Sequence, residues 1–444
     1  MTLNDVKKFV EENGIEFFLC SFVEMSGAPK AKLVPATNLD EMASGGAGFA
    51  GFAVGEMGQG PHDPDMANIP DFSSLTVVPW RKNMAWVAGN IQVNNQPWPY
   101  CPRTILQQQL DKAKAKGYVF NVGIEAEFML LKRDADGSYS PWDQLDTLRK
   151  PCYDLRALHR NLDVMTQLIK NMQGLRWSPY ANDHEDANCQ FEINWVYSDA
   201  LTTADRHTFY KWMVKTVAEE HGLLGTFMPK PFTHLTGNGA HLHMSLWDAK
   251  NRNNLFLDKK DENGLSKIAY WFTGGVLKHA KALAAVTNPI VNSYKRLVRG
   301  APRSGATWAP VYITYGGSNR TQMIRIPAPG RIENRSADGA ANPYLTMAVT
   351  LAAGLDGIEN QIDPGTRNDD NLYEFSEDEL HQRHIDVLPR SLKAAIDDLE
   401  NDEVIKNALG TEYANYYIGV KNEEWRQYHS TVSQWETDNY LGVY

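Results

Sequence analysis

The stretch YVFNVGIEAEFML, residues 118–130, decides how the rest of the chain is read. Tyr118, Phe120, Val122, Ile124, Ala126 and Phe128 alternate with Asn121, Gly123, Glu125 and Glu127, and this period of two predicts a β-strand with one apolar and one polar face. Two glutamates therefore project to the same side. If buried, they repel and require an opposite charge or a cation; if exposed, they are a solvated sheet face, and this stretch alone reads either way.

Three further stretches repeat the pattern. In NDHEDANCQFEIN (182–194), Gln190, Glu192 and Asn194 share a face opposite Phe191, Ile193 and Trp195, with Glu185 in a turn-like approach. In GNGAHLHMSLW (237–247), His241, His243 and Ser245 alternate with Leu242, Met244 and Leu246. GRIENR (330–335) puts Arg331, Glu333 and Arg335 on one side. A lone histidine is more often structural than a ligand. Five glutamates with one or two histidines and no thiolate, however, form an oxygen-rich set that suits Mg²⁺ or Mn²⁺ better than a structural zinc, and two ions could share it. Arg296, Arg320, Arg325, Arg331 and Arg335 fall within forty residues, and guanidinium forks suit carboxylates and phosphoryl groups, although as surface ion pairs they would mean little. Phosphoryl transfer is the most economical chemistry for such a set, because it needs charge neutralisation and positioning more than a protein nucleophile.

The bulk of the chain agrees with a folded enzyme. Its 444 residues predict two domains; 43% hydrophobic and 22% charged residues are the balance of a globular protein. A net charge of −10 without a Lys/Arg block argues against nucleic acid as a partner. Cys20, Cys101, Cys152 and Cys189 are scattered without a CxxC, which predicts no disulfide framework and fits a reducing cytoplasm. No apolar run is long enough for a membrane span, and the N-terminus reads as a short surface helix.

Ile15–Val23 and Lys30–Pro35 read as strands around a Ser26-Gly27 turn, in a small N-terminal domain that ends near residue 102 after NNQPWPYC (94–101). A helix from Thr104 to Lys116 stops at Gly117, and an α+β domain follows, with helices expected at Leu155–Met172, Thr203–His221 and across 376–409, and a polar loop at 362–371. Gly46, Gly48 and Gly51 satisfy GxGxxG, but FAVGEMGQGPHDPD (52–65) is too rich in Gly and Pro to open the helix that a dinucleotide site requires.

Taken together, NGAHLHMS (238–245), NSYKRL (292–297), NRTQMIRIP (319–327), RIENR (331–335) and AANPYL (340–345) resemble the glutamine synthetase family in order and spacing, from about residue 15 to the C-terminus. HEDANCQFE (184–192) is similar to its type III-like branch, which includes enzymes that make γ-glutamylmethylamide. The resemblance implies an α+β fold with a β-grasp-like domain at 1–102 and a catalytic domain at 103–444, whose antiparallel strands form a funnel between subunits. Twelve subunits in two stacked rings are implied as well. By motif, Glu127, Glu185 and Glu192 match the ligands of one metal ion, and Glu125, His241 and Glu333 those of another, with two to three Mg²⁺ or Mn²⁺ per site. His243, Ser245, Arg320 and Arg325 match ATP contacts, Arg320 being the candidate for charge stabilisation. Gly237, Arg296 and Arg335 match positions that hold glutamate. Tyr373, in NLYEF (371–375), matches the site where some relatives accept a regulatory nucleotide.

Departures from the family concern the amine. FAGFA (49–53) puts Ala50 where an aspartate stands in FDGSS-like strings, and ATWAP (306–310) puts Trp308 where a flap glutamate precedes Ala-Pro. Asp65, in DPDM (63–66), would be borrowed by the neighbouring subunit. The expected reaction is therefore ATP-dependent ligation of glutamate to methylamine. The alternatives are ammonia, another alkylamine or polyamine, and a catalytically silent ring scaffold, against which all six ligand positions are filled.

Overall fold

The computed structural model describes residues 1–299 and 309–444. The helix Leu3–Asn13 opens on a capping box between Thr2 and Asp5 and closes on Gly14 at φ 61°. A first sheet follows, made of β1 (Phe17–Val23), β2 (Pro29–Pro35), β3 (Ala47–Phe49), β4 (Met66–Pro70), β5 (Thr76–Val78), β6 (Arg81–Val93) and β7 (Gln96–Pro97). Its order is β2-β1-β6-β4-β3, with β5 and β7 also on β6. β1 runs parallel to β6, and the expected turn between β1 and β2 is made by Gly27 at φ 80°. The glycines Gly46, Gly48 and Gly51 flank β3 and a short 3₁₀ turn, Gly51–Ala53, with no α-helix opening there.

The second sheet has eleven strands: β8 (Tyr118–Arg133), β9 (Tyr139–Pro141), β10 (Pro179–His184), β11 (Gln190–Trp195), β12 (Ser198–Asp199), β13 (Leu224–Thr226), β14 (Ala240–Asp248), β15 (Tyr312–Gly316), β16 (Gln322–Ala328), β17 (Arg331–Asn334) and β18 (Asp386–Val387). The order is β10-β11-β8-β14-β17-β16-β15-β18, with β9, β12 and β13 also on β8. Every pairing among the described residues of this sheet is antiparallel except β15 with β16. The apolar residues of β8, Phe120 to Phe128, enter the main core with Phe209 and Tyr210 of the helix Ala200–Glu220 and Leu345 of the helix Pro343–Glu359. The α+β architecture expected from alternation is the one observed. No helix among the described residues is long and apolar enough to cross a membrane.

Two expected helices are interrupted. The run 155–172 is two helices, Leu155–Arg160 and Leu162–Gly174, because the Asn161 side chain turns back to accept from Trp142 Nε1 at 2.7 Å and donate to the Ala157 carbonyl at 2.8 Å. The run 376–409 is three short helices, Glu377–Gln382, Leu392–Glu400 and Glu403–Leu409; β18, where β-branched residues and Pro389 favour extended backbone, separates the first two, and Asp402, capping the third, separates the last two.

The two sheets are joined by buried polar groups. Arg103, 2% exposed, donates to Asp205 twice at 3.0 Å, to Asn90 at 3.0 Å and to Asp71 at 2.7 Å, so one guanidinium serves residues of the first sheet region and of the helix Ala200–Glu220. Tyr344 donates to the same Asp205 at 2.7 Å, and the Asn342 amide donates to the backbone carbonyls of Glu24 and Met25 at 3.0 and 3.2 Å.

Candidate active site

Register places the polar side chains of four strands on one face. Glu192 stands opposite Glu127, His241 opposite Glu125, and His243 opposite Glu333, which in turn faces Arg325. Ligand atoms capable of holding a cation lie within 4.8 Å of one another in three groups: Glu125, Glu192 and His241; Glu125, His243 and Glu333; and Asp183, Glu185 and Glu192. Five of the six carboxylate and imidazole positions expected to bind metal therefore converge in these groups. Glu127 is drawn aside by donors: it accepts from the Gly239 N–H at 2.7 Å and Gln190 Nε2 at 3.1 Å, and lies 3.7 Å from His241 Nε2.

Two cavities of about 370 Å³ each meet at Glu125, Tyr180 and Asn194. One holds Glu127, Glu185, Glu192 and His241 against Arg320, Arg325 and Arg335, with Cys152, Tyr153 and Asp183 on its wall. The other is lined by His243, Ser245, Tyr197, Trp247 and Arg331. Arg296 lies beneath the first, donating to the Ser336 carbonyl at 2.9 Å and the Arg335 carbonyl at 3.3 Å. Close approach explains both neighbouring glycines: a Cβ on Gly239 would sit 2.6 Å from Arg296 Nη2 and 2.8 Å from His241 Nε2, and one on Gly237 would sit 2.2 Å from the Pro229 carbonyl.

Electrostatics divide the face. Burial, reinforced by Glu127 and Asp183, pushes Glu185 up to about 8. Burial and the surrounding glutamates raise Glu192 well above the ordinary carboxylate range, and burial with Glu125 raises Asp183. On the other side burial also works against ionisation, yet Arg335 with His243 and His241 holds Glu333 low, and hydrogen bonding from His241 and His243 does the same for Glu125. His243 Nε2 lies 2.8 Å from Glu125 Oε1. Glu333 accepts from Arg325 at 2.9 Å and from Arg335. The Cys152 thiol, pushed to about 12 by burial and then by Glu185, stays protonated and is a poor ligand. His241 Nε2 is buried without a hydrogen-bond partner. Mutually repelling buried carboxylates, an orphaned imidazole nitrogen and an oxygen-rich donor set fit divalent Mg²⁺ or Mn²⁺.

Of the expected amine-side residues, Ala50 and Asp65 are not brought to this face within one chain. Ala50 and Asp65 are exposed on the first sheet, flanking β3 and β4, and line neither cavity; Trp308 lies outside the described residues. Tyr373 sits in the turn Leu372–Glu374, its ring 6.3 Å from Tyr312. Sequence reasoning missed Asp183, Gly239, Cys152 and Tyr153. Asp183 continues the alternation from Glu185 and was within reach of the same rule, whereas Cys152 and Tyr153 carry no local signal.

Residues 99–440 match the glutamine synthetase catalytic domain. The chain is 47% identical to a glutamine synthetase of Rhizobium leguminosarum bv. phaseoli over 100% of both chains, and 45% identical to a glutamate–methylamine ligase of Methyloversatilis universalis over 99% of both. Its structure superposes on that of GmaS in complex with ADP with a TM-score of 0.92 at 50% identity, covering 98% of this chain and 99% of that one. Fold and site thus define an ATP-dependent ligase. The chain belongs to the glutamine synthetase family, whose glutamate–amine ligases use ATP and divalent metals.

Proposed function

We propose that this enzyme joins the γ-carboxyl of glutamate to methylamine through γ-glutamyl phosphate, giving γ-glutamylmethylamide, ADP and phosphate. The chemistry is carried by one observation, a cavity in which clustered carboxylates, Glu185 and Glu192 with raised proton affinity among them, face Arg320, Arg325 and Arg335. Glu127, Glu185 and Glu192 would hold one divalent ion, and Glu125, His241 and Glu333 another. Such ions neutralise phosphate oxygens during transfer. Arg296, Arg335 and Gly237 orient glutamate so that a γ-carboxylate oxygen attacks the γ-phosphorus of ATP, whose bond to ADP breaks. His243, Ser245 and Arg325 hold the nucleotide, and Arg320 offsets the charge that develops on the phosphoryl group. The amine nitrogen then attacks the acyl carbon and expels phosphate, its proton passing to Asp65 of a neighbouring subunit.

The choice of methylamine draws support from the full-length similarity to a glutamate–methylamine ligase and from two residues. Ala50 leaves room for a methyl group, and the Trp308 face offers methylammonium a cation–π attraction of about 0.5–2 kcal/mol. An ammonia-using glutamine synthetase is the second reading, favoured by relatives of that name in Rhizobium leguminosarum bv. phaseoli and Rhizobium meliloti at 47% and 46% identity. In the same proposal residues 1–102 are the N-terminal domain and 103–444 the catalytic domain, twelve subunits form two rings, and the enzyme works in the cytoplasm.

Phosphate release with ammonia, methylamine, ethylamine or a diamine in parallel tests the amine. The expected outcome is a kcat/KM for methylamine at least about tenfold above that for ammonia, a difference of about 1.4 kcal/mol, erased by Trp308→Ala. Preference for ammonia overturns the methylamine reading; no turnover with any amine overturns the enzymatic one.

A further inference from the structure

Asp146, 5% exposed, lies on the loop that follows β9 and lines neither cavity. Its carboxylate nevertheless grips the turn between β10 and β11 at three points. Oδ2 accepts from the Cys189 N–H at 2.6 Å and lies 2.8 Å from His184 Nε2, while Oδ1 accepts from Asn188 Nδ2 at 3.1 Å. His184 is fully buried, with its ring edge-on to Phe191 and Nδ1 2.9 Å from the Glu185 carbonyl oxygen. One side chain therefore holds both ends of the turn that begins with Glu185 and delivers Gln190 and Glu192.

The turn needs holding. It closes through Glu185 N–H to the Gln190 carbonyl at 2.8 Å and Gln190 N–H to the Ala187 carbonyl at 3.1 Å, and this closure forces Cys189 to φ 58°, a left-handed conformation that residues with a Cβ rarely adopt. The Cys189 amide that Asp146 accepts belongs to that strained residue. The Asp146 loop is tied down in turn: Asp143 N–H donates to Cys189 Sγ at 3.2 Å, and the Asp143 carboxylate accepts from Arg160 at 2.6 Å.

We infer that Asp146 is a positioning residue for Glu185 and Glu192, acting through His184 and the Cys189 amide to fix the cation site those carboxylates form. The inference rests on the reading of Glu185 and Glu192 as ligands. An amide in place of the carboxylate keeps the volume but offers one acceptor oxygen to three donors, so the turn relaxes at Cys189 and Glu185 shifts. Glu125, His241 and Glu333 stand on β8, β14 and β17, outside this turn.

Equilibrium binding of Mn²⁺ to the full-length protein, read from the electron paramagnetic resonance of the free ion, tests this in wild type, Asp146→Asn and Glu185→Gln. Asp146→Asn should weaken one class of site about 10–100-fold, leave the other class within about twofold and raise the Mg²⁺ needed for half-maximal activity, with kcat recovered at saturating metal. Unchanged binding in Asp146→Asn alongside loss in Glu185→Gln overturns the inference and leaves the ligand reading standing. Unchanged binding in both overturns the two together. Equal weakening of both classes with a collapse of thermal stability assigns Asp146 a general folding role and also overturns the inference. Should Asp146→Asn be recovered unfolded, Asn188→Ala, which removes one of the three grips, decides: about threefold weakening of the same class supports the inference, and no change overturns it.

Discussion

Two groups of glutamates share the polar face of the catalytic sheet, and the protein treats them differently. Glu333 is wholly buried, but Arg325 and Arg335 sit on it and keep it ionised. Glu185, half-buried, and Glu192, buried, lie against other carboxylates, and their affinity for protons is raised. A charge neutralised by fixed guanidinium groups contributes to the fold itself, whereas a charge left facing its own kind destabilises the chain until something positive arrives from outside. The difference separates a carboxylate already balanced by the protein's own cations from carboxylates that are not.

The largest effect that could break this comparison is on turnover. Glu192→Gln should reduce phosphate release roughly a thousandfold with every amine, while raising the melting temperature of the metal-free protein, because it removes a carboxyl whose ionisation burial and the neighbouring glutamates oppose. Lower activity together with lower stability would show that Glu192 is part of the structural framework instead. Next in size is Arg335→Met, which leaves Glu333 with one partner and should cost about 3 kcal/mol in urea unfolding. Near-wild-type stability there would mean that Arg325 alone neutralises Glu333.

A third region sharpens the contrast by using a cation that titrates. His279, between the helices Lys267–Lys278 and Ala280–Thr287, sits 2.6 Å from Asp402 and 3.0 Å from Asp356, which also pairs with Lys278 at 3.1 Å. Burial opposes its protonation, but the two aspartates outweigh that and raise its affinity for a proton. A histidine raised on folding contributes stability that is fully present below its unfolded value near 6.5 and is lost as pH rises through the higher folded value. His279→Asn should therefore remove about 1 kcal/mol at pH 6 and progressively less above neutrality. A constant difference across that range in thermal melts would assign the loss to packing.

Alternation alone exposed most of this face. Glu125, Glu127, Glu192, His241, His243 and Glu333 fall on it because each occupies the right parity in its strand, and parity is a property of covalent geometry that sequence displays directly. What sequence could not display is where one strand's neighbours lie. The donors on Glu127 come from Gly239 and Gln190, and the grip on Glu185 comes from Asp146, all through contacts between segments distant in the chain. The helix break at Asn161 escaped for the same reason, since its cause is a tryptophan on another segment. Ala50 and Asp65 were legible as departures and remnants of a pattern, yet in one chain they stand apart from the carboxylates.

Arg103 has a consequence for how the molecule comes apart. A fully buried guanidinium whose partners lie on both sides of the join couples the two, since releasing the first sheet alone would take Asn90 and Asp71 away from Arg103 while its bonds to Asp205 keep it in the interior. The two sheets therefore form one cooperative unit, and the calorimetric trace of a single subunit should contain one transition, with no plateau in which either half survives the other.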